Sequence, residues 1–306
     1  MNAATSPSAG DLVALRLRGG GLDWRSYLLH GAMLLAMFTA LGILLVLLAD
    51  VAMRALPVLT ERPLDFLTSN LSSRPARAGI GQGLTGSLLL VVFVAVLALP
   101  VGVGAAVYLE EYARDTPITR FVRTNIRNLA GVPAIVYGLL GLAVFVTLLG
   151  LGKILIVGGL TLAILVLPIV VITTSEALRA VPASIREAAL GVGATRWETV
   201  RSHVLPYAAP GIFTGTILSL ARAFGETAPL IVVGAIAGTF RYSADNLVEQ
   251  LQGPYTALPT IIYGFARDPD AEFRANTAAA IIVLLVVLLA VNGLAIFLRN
   301  RFERRW

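Results

Sequence analysis

The chain has 306 residues, of which 57% are hydrophobic and only 14% are charged. A mean hydropathy of +0.82 is more than a water-soluble protein can hide in one core, so the composition predicts an integral membrane protein. The formal net charge of +6 would also suit nucleic-acid binding. The arginines, however, lie in short segments between long apolar runs, which argues against a nucleic-acid partner. With no cysteine and two histidines, the chain offers neither disulfides nor a zinc site.

Six segments are apolar and long enough to cross a bilayer as helices. We interpret the polar residues 1–30, which precede them, as a cytoplasmic N-terminal tail, and residues 299–306 as a cytoplasmic C-terminal tail. The transmembrane domain would cover residues 31–298. Its predicted spans are 31–53, 84–108, 129–150, 154–174, 210–237 and 276–298.

The distribution of basic residues predicts the orientation of these spans. Six spans place both termini on one side, together with the loops near residues 109–128 and 175–209. These segments contain 15 basic residues against 8 on the opposite side, with Arg222 left over inside a span. The positive-inside rule therefore predicts a multi-pass protein with both termini in the cytoplasm.

The third and fourth spans are separated by very few residues. Only Gly150, Leu151, Gly152 and Lys153 join them, which predicts a tight helical hairpin. Several spans also contain prolines and glycines, which membrane helices tolerate beside a water-lined path or, more simply, where helices pack closely.

The loop at residues 175–209 is too polar to span the membrane. Pro182 followed by Glu187 is typical of a helix start, Gly191 and Gly193 indicate a turn, and a second helix is predicted from Thr195 to about residue 204. A solvated amphipathic linker would account for this pattern. Alternatively, its small residues would let another protein approach closely, with charged contacts at the rim from Arg186, Arg196 and Arg201.

The spacing inside this loop resembles a known motif. Glu187-Ala188-Ala189, three residues, Gly193, nine residues and then residues 203–206 are similar to the EAA loop of ABC importer permeases. In that family the loop forms coupling helices that dock into a groove on the ATPase subunit. His203 departs from the family pattern, which usually has an aliphatic residue there. The resemblance implies an ATPase-coupling role for Glu187, Ala188, Ala189, Gly193 and Arg196.

Two charged residues lie inside the predicted fifth span. Arg222 follows Pro210 by 12 residues, or about 18 Å of helix, and would lie near the middle of the bilayer. Charges in such positions usually mark a transport path. Glu226, four residues later, can pair with Arg222 on one helix face, so a purely structural ion pair is the alternative. Because the donors of arginine suit an oxyanion, we expect Arg222 to line an anion path.

The run from Arg222 to Leu230 resembles, nearly residue for residue, the signature of the PstA family of phosphate-specific permease subunits. Residues 106–113, 129–139 and 257–259 with Tyr263 are also similar to that family. Pro229 and Leu230 favour it over the sister PstC family. The first 78 residues carry no usable motif.

This resemblance implies an all-α membrane protein: a six-transmembrane-helix bundle of the type I ABC importer permease kind with a cytoplasmic EAA coupling loop. It would import phosphate across the inner membrane of a prokaryote, along a path containing Arg222, Glu226 and Thr227. Its partners would be a PstC-like permease, an ATPase dimer, an external phosphate-binding protein and membrane lipid. The chain has no Gly-x-x-x-x-Gly-Lys-Ser/Thr loop, so we expect no catalysis and no cofactor of its own, with ATP and Mg bound by the ATPase.

Two other functions fit part of this pattern. An ABC permease for another oxyanion, sulfate or molybdate, could also use an arginine-lined path, although the Gly225–Leu230 run favours phosphate. A secondary anion transporter or channel would share six spans and a buried arginine but would not need the EAA spacing. Retention of an ATPase subunit would separate these classes.

Overall fold

The computed structural model describes residues 24–238 and 246–302, and within them every regular element is helical. The predicted N-terminal tail therefore lies mostly outside the described residues. Contacts divide the chain into two units, Met1–Asp50 and Val51–Trp306. The described part of the first unit is the beginning of helix α1 (Trp24–Glu61), whose side chains are almost all exposed there.

The second unit contains the end of α1, a 3-10 turn at Pro75–Arg77 and the remaining α-helices. They are α2 (Pro63–Thr68), α3 (Gly81–Val107), α4 (Pro117–Ala130), α5 (Ala134–Gly141), α6 (Leu155–Arg179), α7 (Ala183–Gly191), α8 (Arg196–Thr199), α9 (Leu205–Gly225), α10 (Ala228–Val232), α11 (Leu247–Gln252), α12 (Leu258–Arg267) and α13 (Phe273–Phe302). Three of these continue directly into π-helical turns: α3 into Tyr108–Tyr112, α5 into Leu142–Leu148 and α8 into Val200–Val204.

Five helical segments in the described residues are long and apolar enough to cross a membrane. The bent pair α4 and α5 with its π-helical turn adds a sixth if it counts as one span. The all-helical bundle predicted from the sequence is therefore confirmed. The five segments are Trp24–Glu61, Gly81–Tyr112, Leu155–Arg179, Arg196–Gly225 and Phe273–Phe297.

The predicted third span differs from the observed structure. Instead of one helix over 129–150, α4 and α5 meet at an angle of 103°. Pro133 has no backbone N–H and disfavours a helical conformation at Val132, so α4 ends before it and α5 begins after it. Most of α4 lies in the segment 109–128 that the sequence predicted to be a loop, and the helix exposes the apolar side chains of Ile118 and Phe121. Thr116 followed by Pro117 is a typical sequence pattern for a helix start, and in the structure the Thr116 side chain caps α4.

The short connection predicted between the third and fourth spans is observed, and α5 contacts α6. Residues 149–154 connect the π-helical turn after α5 to the start of α6. Gly150 and Gly152 have φ angles of +64° and +81°, in the left-handed region that favours glycine. Two such residues reverse the chain within a very short connection.

The core of the second unit is built around α6. This helix packs along α3 and α9, and about two thirds of its most apolar stretch is buried in the protein. At the contact with α3, a Cβ atom on Gly102 would lie 2.6 Å from Val170 Cγ1, so glycine allows the two helices to approach closely. Close packing through small residues therefore explains this glycine.

The segment after α1, for which the sequence offered no motif, is held by one arginine. The Arg62 guanidinium donates to the carbonyl oxygens of Pro75 and Ala76, both at 2.6 Å, and to Asn276 Oδ1 at 2.7 Å. Asn276 in α13 is almost fully buried, and its Nδ2 also donates to the carbonyl oxygen of Pro75 at 2.9 Å. The loop between α2 and α3 is thereby tied to the start of α13.

We predict that single cysteines at positions 2 and 306 both react with an impermeant maleimide only after the membrane is permeabilised. The chain has no natural cysteine, so each label reports one site. Lys153→Cys, in the opposite loop, should react in intact cells and is the control. If α4 and α5 do not form a span, the number of crossings is odd and one terminus will react from outside.

Candidate transport path and coupling segment

Arg222 lies in the last turn of α9, because this helix ends at Gly225. The predicted fifth span at 210–237 is therefore two helices, α9 and the short α10. Pro229 explains the break, since a continuing helix would bring its ring against the carbonyl of Gly225 and would lack one N–H donor. Arg222 is thus at the end of a helix rather than in its middle, where a cation also interacts favourably with the helix dipole.

Arg222 and Glu226 form the ion pair that their spacing predicts. Arg222 Nε lies 3.3 Å from Glu226 Oε1, and the two side chains are 46% and 18% exposed. Glu226 already has an extended backbone, with φ −75° and ψ 126°, so the pair bridges the end of α9. The structure therefore presents an accessible cation that is partly neutralised by a more buried carboxylate.

Thr227 is half-buried and directly precedes α10. Its carbonyl oxygen accepts a hydrogen bond from Ile231 N at 3.1 Å, which stabilises the first turn of α10. The three residues predicted for the transport path therefore all lie at the break between α9 and α10.

The break is held inside the protein by α5. A Cβ atom on Gly138 would lie 2.7 Å from Pro229 Cα, so only glycine lets α10 lie against α5 here. Pro229 and Leu230 are buried, and so is Tyr137, whose hydroxyl donates to the carbonyl of Leu129 at 2.8 Å. Non-helical backbone at membrane depth is tolerated where protein buries it or where it lines a water-filled cavity.

The loop at 175–209 has the predicted helix, turn and helix. α7 is followed by a turn in which Gly193 has a φ angle of +90° and Ala194 N donates to the carbonyl of Ala189 at 3.1 Å. α8 starts with a capping box, since the Thr195 hydroxyl accepts from Glu198 N and Glu198 Oε2 accepts from Thr195 N at 2.8 Å. The π-helical turn then extends α8 to residue 204.

The predicted coupling residues have different environments. Glu187, Ala188 and Gly193 are exposed, whereas Ala189 lies on the buried face of α7. Arg196 is exposed, with its guanidinium carbon 5.6 Å from the centre of the Tyr112 ring. The exposed surface also includes the large apolar side chains of Leu190, Val192 and Trp197.

The structure shows the environments of two further residues of this loop, Arg186 and His203. Arg186 is not a free contact at the rim, because it binds Glu111 at 2.6 Å and also donates to the carbonyls of Leu178 and Val181. His203, the departure from the motif, is exposed, while its neighbour Val204 is fully buried. The substitution at position 203 therefore leaves the packing beneath the loop intact.

The class of protein follows from the fold and from its family: the chain is a permease of an ABC importer. The chain belongs to the family described as binding-protein-dependent transport system inner membrane component, whose model matches residues 98–306. Proteins of this family are membrane components of ABC transporters. Its all-helical bundle is of the type I importer kind: a bacterial alginate ABC transporter chain superposes with a TM-score of 0.68 at 14% identity, covering 92% of this chain and 96% of that one.

The curated relatives of this chain include permeases of phosphate transport systems. The chain is 35% identical over 233 residues to the probable ABC transporter permease YqgI of Bacillus subtilis, covering 73% of this chain and 79% of that protein. It is also 35% identical over 214 residues to the phosphate transport system permease protein PstA of Mycobacterium leprae, covering 70% and 68% of the two chains.

Replacing Gly193 by alanine should destabilise the turn between α7 and α8. A Cβ atom has open space there, but the left-handed conformation costs a non-glycine residue about 1–2 kcal/mol. Hydrogen exchange over residues 183–204 should therefore be about five- to thirtyfold faster.

Gly191→Ala is the matched control, because Gly191 also has open space but does not have a positive φ angle. Alanine in a helix is favoured over glycine, so exchange should be unchanged or slower. Equal exchange rates in the two variants would contradict a conformational requirement at Gly193.

Proposed function

We propose that this chain is the permease subunit of an ATP-driven importer that moves inorganic phosphate across the inner membrane of a prokaryote. The observation that carries this proposal is the Arg222–Glu226 pair at the break after α9. It places a half-exposed guanidinium where an apolar bundle has an interrupted helix. The PstA proteins among the relatives support phosphate as the anion.

The chemistry of the pair suits the passage of an oxyanion. A guanidinium has five N–H donors in a planar fork that matches phosphate, and Glu226 contacts the donor on Nε. The carboxylate also reduces the net charge at this point. An anion path must attract its ion and still release it, which a fully uncompensated cation in an apolar environment would oppose. Thr227, beside the pair, would supply a further polar contact.

The energy for import would come from a separate ATPase dimer. The exposed surface of α7, the turn and α8 supports docking of such a partner. Its small residues allow close approach and its apolar side chains would be covered. Glu187, Ala188, Gly193 and Arg196 would form the contact, with Ala189 packed beneath it. ATP and Mg would be bound by the ATPase.

Two further partners complete the proposed transporter. A PstC-like permease would form the second half of the path, and an external phosphate-binding protein would deliver the anion. ATPase closure would then shift the bundle between outward-facing and inward-facing states. Uptake of labelled phosphate by vesicles that contain all four components tests this proposal directly, with sulfate and molybdate as competitors. Stronger inhibition by either competitor than by unlabelled phosphate would reassign the substrate.

An ATPase subunit should co-purify with the wild-type chain and be lost from Gly193→Asp. A side chain at this exposed left-handed position would strain the turn and place a carboxylate against the approaching surface. Ser73→Asp, which adds the same charge to an exposed loop predicted to be external, is the control and should retain the ATPase. A wild-type chain that retains no ATPase would instead favour a secondary anion transporter.

Arg222→Gln should lower phosphate uptake per assembled complex by about ten- to hundredfold. This range corresponds to about 1.5–3 kcal/mol for hydrogen bonds to a charged group. Arg222→Lys should recover only part of the uptake, because lysine restores the charge but not the bidentate fork. Glu226→Gln should impair uptake less than Arg222→Gln, since the amide oxygen still accepts a hydrogen bond from the arginine.

Arg120→Gln is the matched control, because it removes an arginine that pairs with Asp115 on the exposed side of α4. Its uptake should equal that of the wild type. If the Arg222–Glu226 pair is only structural, Arg222→Gln and Glu226→Gln will both lower the amount of assembled complex and leave uptake per complex unchanged. Full normalised uptake by Arg222→Gln would remove Arg222 from the path.

A further inference from the structure

Four arginines from four helices converge on the π-helical turn Tyr108–Tyr112, which we call the α3 turn. Glu110 in this turn accepts two hydrogen bonds from Arg179, the last residue of α6, both at 2.9 Å. Arg123 of α4 lies 3.7 Å from the same carboxylate and also donates to the carbonyl of Leu109. One carboxylate therefore joins α3 to α4 and α6.

The neighbouring carboxylate joins α3 to the loop. Glu111 accepts from Arg186 of α7, with the shortest contact at 2.6 Å and two others at 3.2 Å. The same guanidinium donates to the carbonyls of Leu178, at 2.9 Å, and Val181, at 2.8 Å, at the end of α6. A single arginine thus connects α7 with the ends of both α3 and α6.

The fourth contact comes from α8, where Arg196 lies over the ring of Tyr112. Both α7 and α8 therefore contact the α3 turn through an arginine side chain. Apolar packing reinforces these contacts, because Ala106 and Leu109 of the α3 end share a buried cluster with Leu178, Val181 and Val204. A displacement of α7 or α8 must either move the α3 turn or break these interactions.

The burial of the Glu111 pair separates it from an ordinary surface contact. Glu111 and Arg186 are 8% and 26% exposed, whereas the Arg120–Asp115 pair nearby is 67% and 78% exposed. Exposed pairs contribute little because water and salt screen them. A buried pair, once one partner is removed, leaves a charge without compensation. The contact between α7 and α3 is therefore costly to break when the loop moves.

We infer that the α3 turn is the mechanical connection through which movement of the 183–204 loop reaches the transmembrane bundle. Glu111 and Arg186 act as positioning residues in this connection, and they contact neither ATP nor the transported anion. The displacement would pass to α3 and to α6, which pack along each other. Short π-helical segments often occur at functional positions in helices, which agrees with this role. The inference rests on the proposed function, since it requires an ATPase that moves the loop.

The test compares Glu111→Gln with Asp115→Asn in the complete reconstituted transporter. Three quantities are measured: ATPase retained on purification, ATP hydrolysed, and phosphate imported per ATP. We expect Glu111→Gln to retain the ATPase and to hydrolyse ATP, but to import at least about fivefold less phosphate per ATP, the lower end of typical couplings between sites. Arg186→Lys should be intermediate, because it keeps the charge but loses the fork. Asp115→Asn should match the wild type.

A purely structural ion pair would give a different result. Glu111→Gln would then lower the yield or the thermal midpoint of the complex, while phosphate imported per ATP would stay at the wild-type value, and the inference would be overturned. Failure of the wild-type complex to import phosphate with ATP would refute the proposed function instead. Each proposal thus fails on a separate measurement.

Discussion

The structure depends on one constraint: in an apolar phase each backbone N–H and C=O group needs a partner within the protein. Long helices satisfy it, and α6 is the clearest case, since it is continuous from Leu155 to Arg179 and packs against α3 and α9. The break after Gly225 is the instructive exception. It persists because α10 packs closely on Gly138 of α5 and because its own backbone bonds form a new short helix. The candidate path lies where the constraint is met by packing rather than by one continuous helix.

The sequence predicts well what depends on hydropathy and short-range spacing. The apolar segments, the glycine hairpin at 150–153, the helix-turn-helix of the loop and the Arg222–Glu226 pair were all visible in it. The predicted spans are wrong where a proline interrupts the helix inside an apolar segment. Pro133 and Pro229 lie inside the predicted third and fifth spans, yet each marks the start of a new helix. Hydropathy averages over about twenty residues and cannot register an angle of 103° at a single proline.

Long-range polar contacts could not be predicted at all. Arg186 and Glu111 are 75 residues apart, and Arg62 and Asn276 are 214 apart, so no periodicity connects them. The sequence shows only an arginine in a polar loop and a pair of acidic residues after a span. The guanidinium groups of Arg62 and Arg186 also bind backbone carbonyls at chain turns, and only the packing of the helix ends brings these groups together. The contacts of the α3 turn are therefore visible only in three dimensions, although residues 106–113 resemble the PstA family in sequence.

Two ion pairs, Arg222–Glu226 and Arg186–Glu111, differ in burial in a way that matches the roles proposed for them. At the break after α9 the cation is the more exposed partner, 46% against 18% for the carboxylate, so a passing anion could reach the arginine while the carboxylate moderates its charge. In the Arg186–Glu111 pair at the α3 turn both partners are largely buried, with 26% of Arg186 and 8% of Glu111 exposed, and the guanidinium also binds main-chain oxygens. Such a pair has little capacity for a mobile ion but resists displacement. The accessible Arg222 therefore suits contact with a passing anion, whereas the enclosed Arg186 suits the transmission of a displacement.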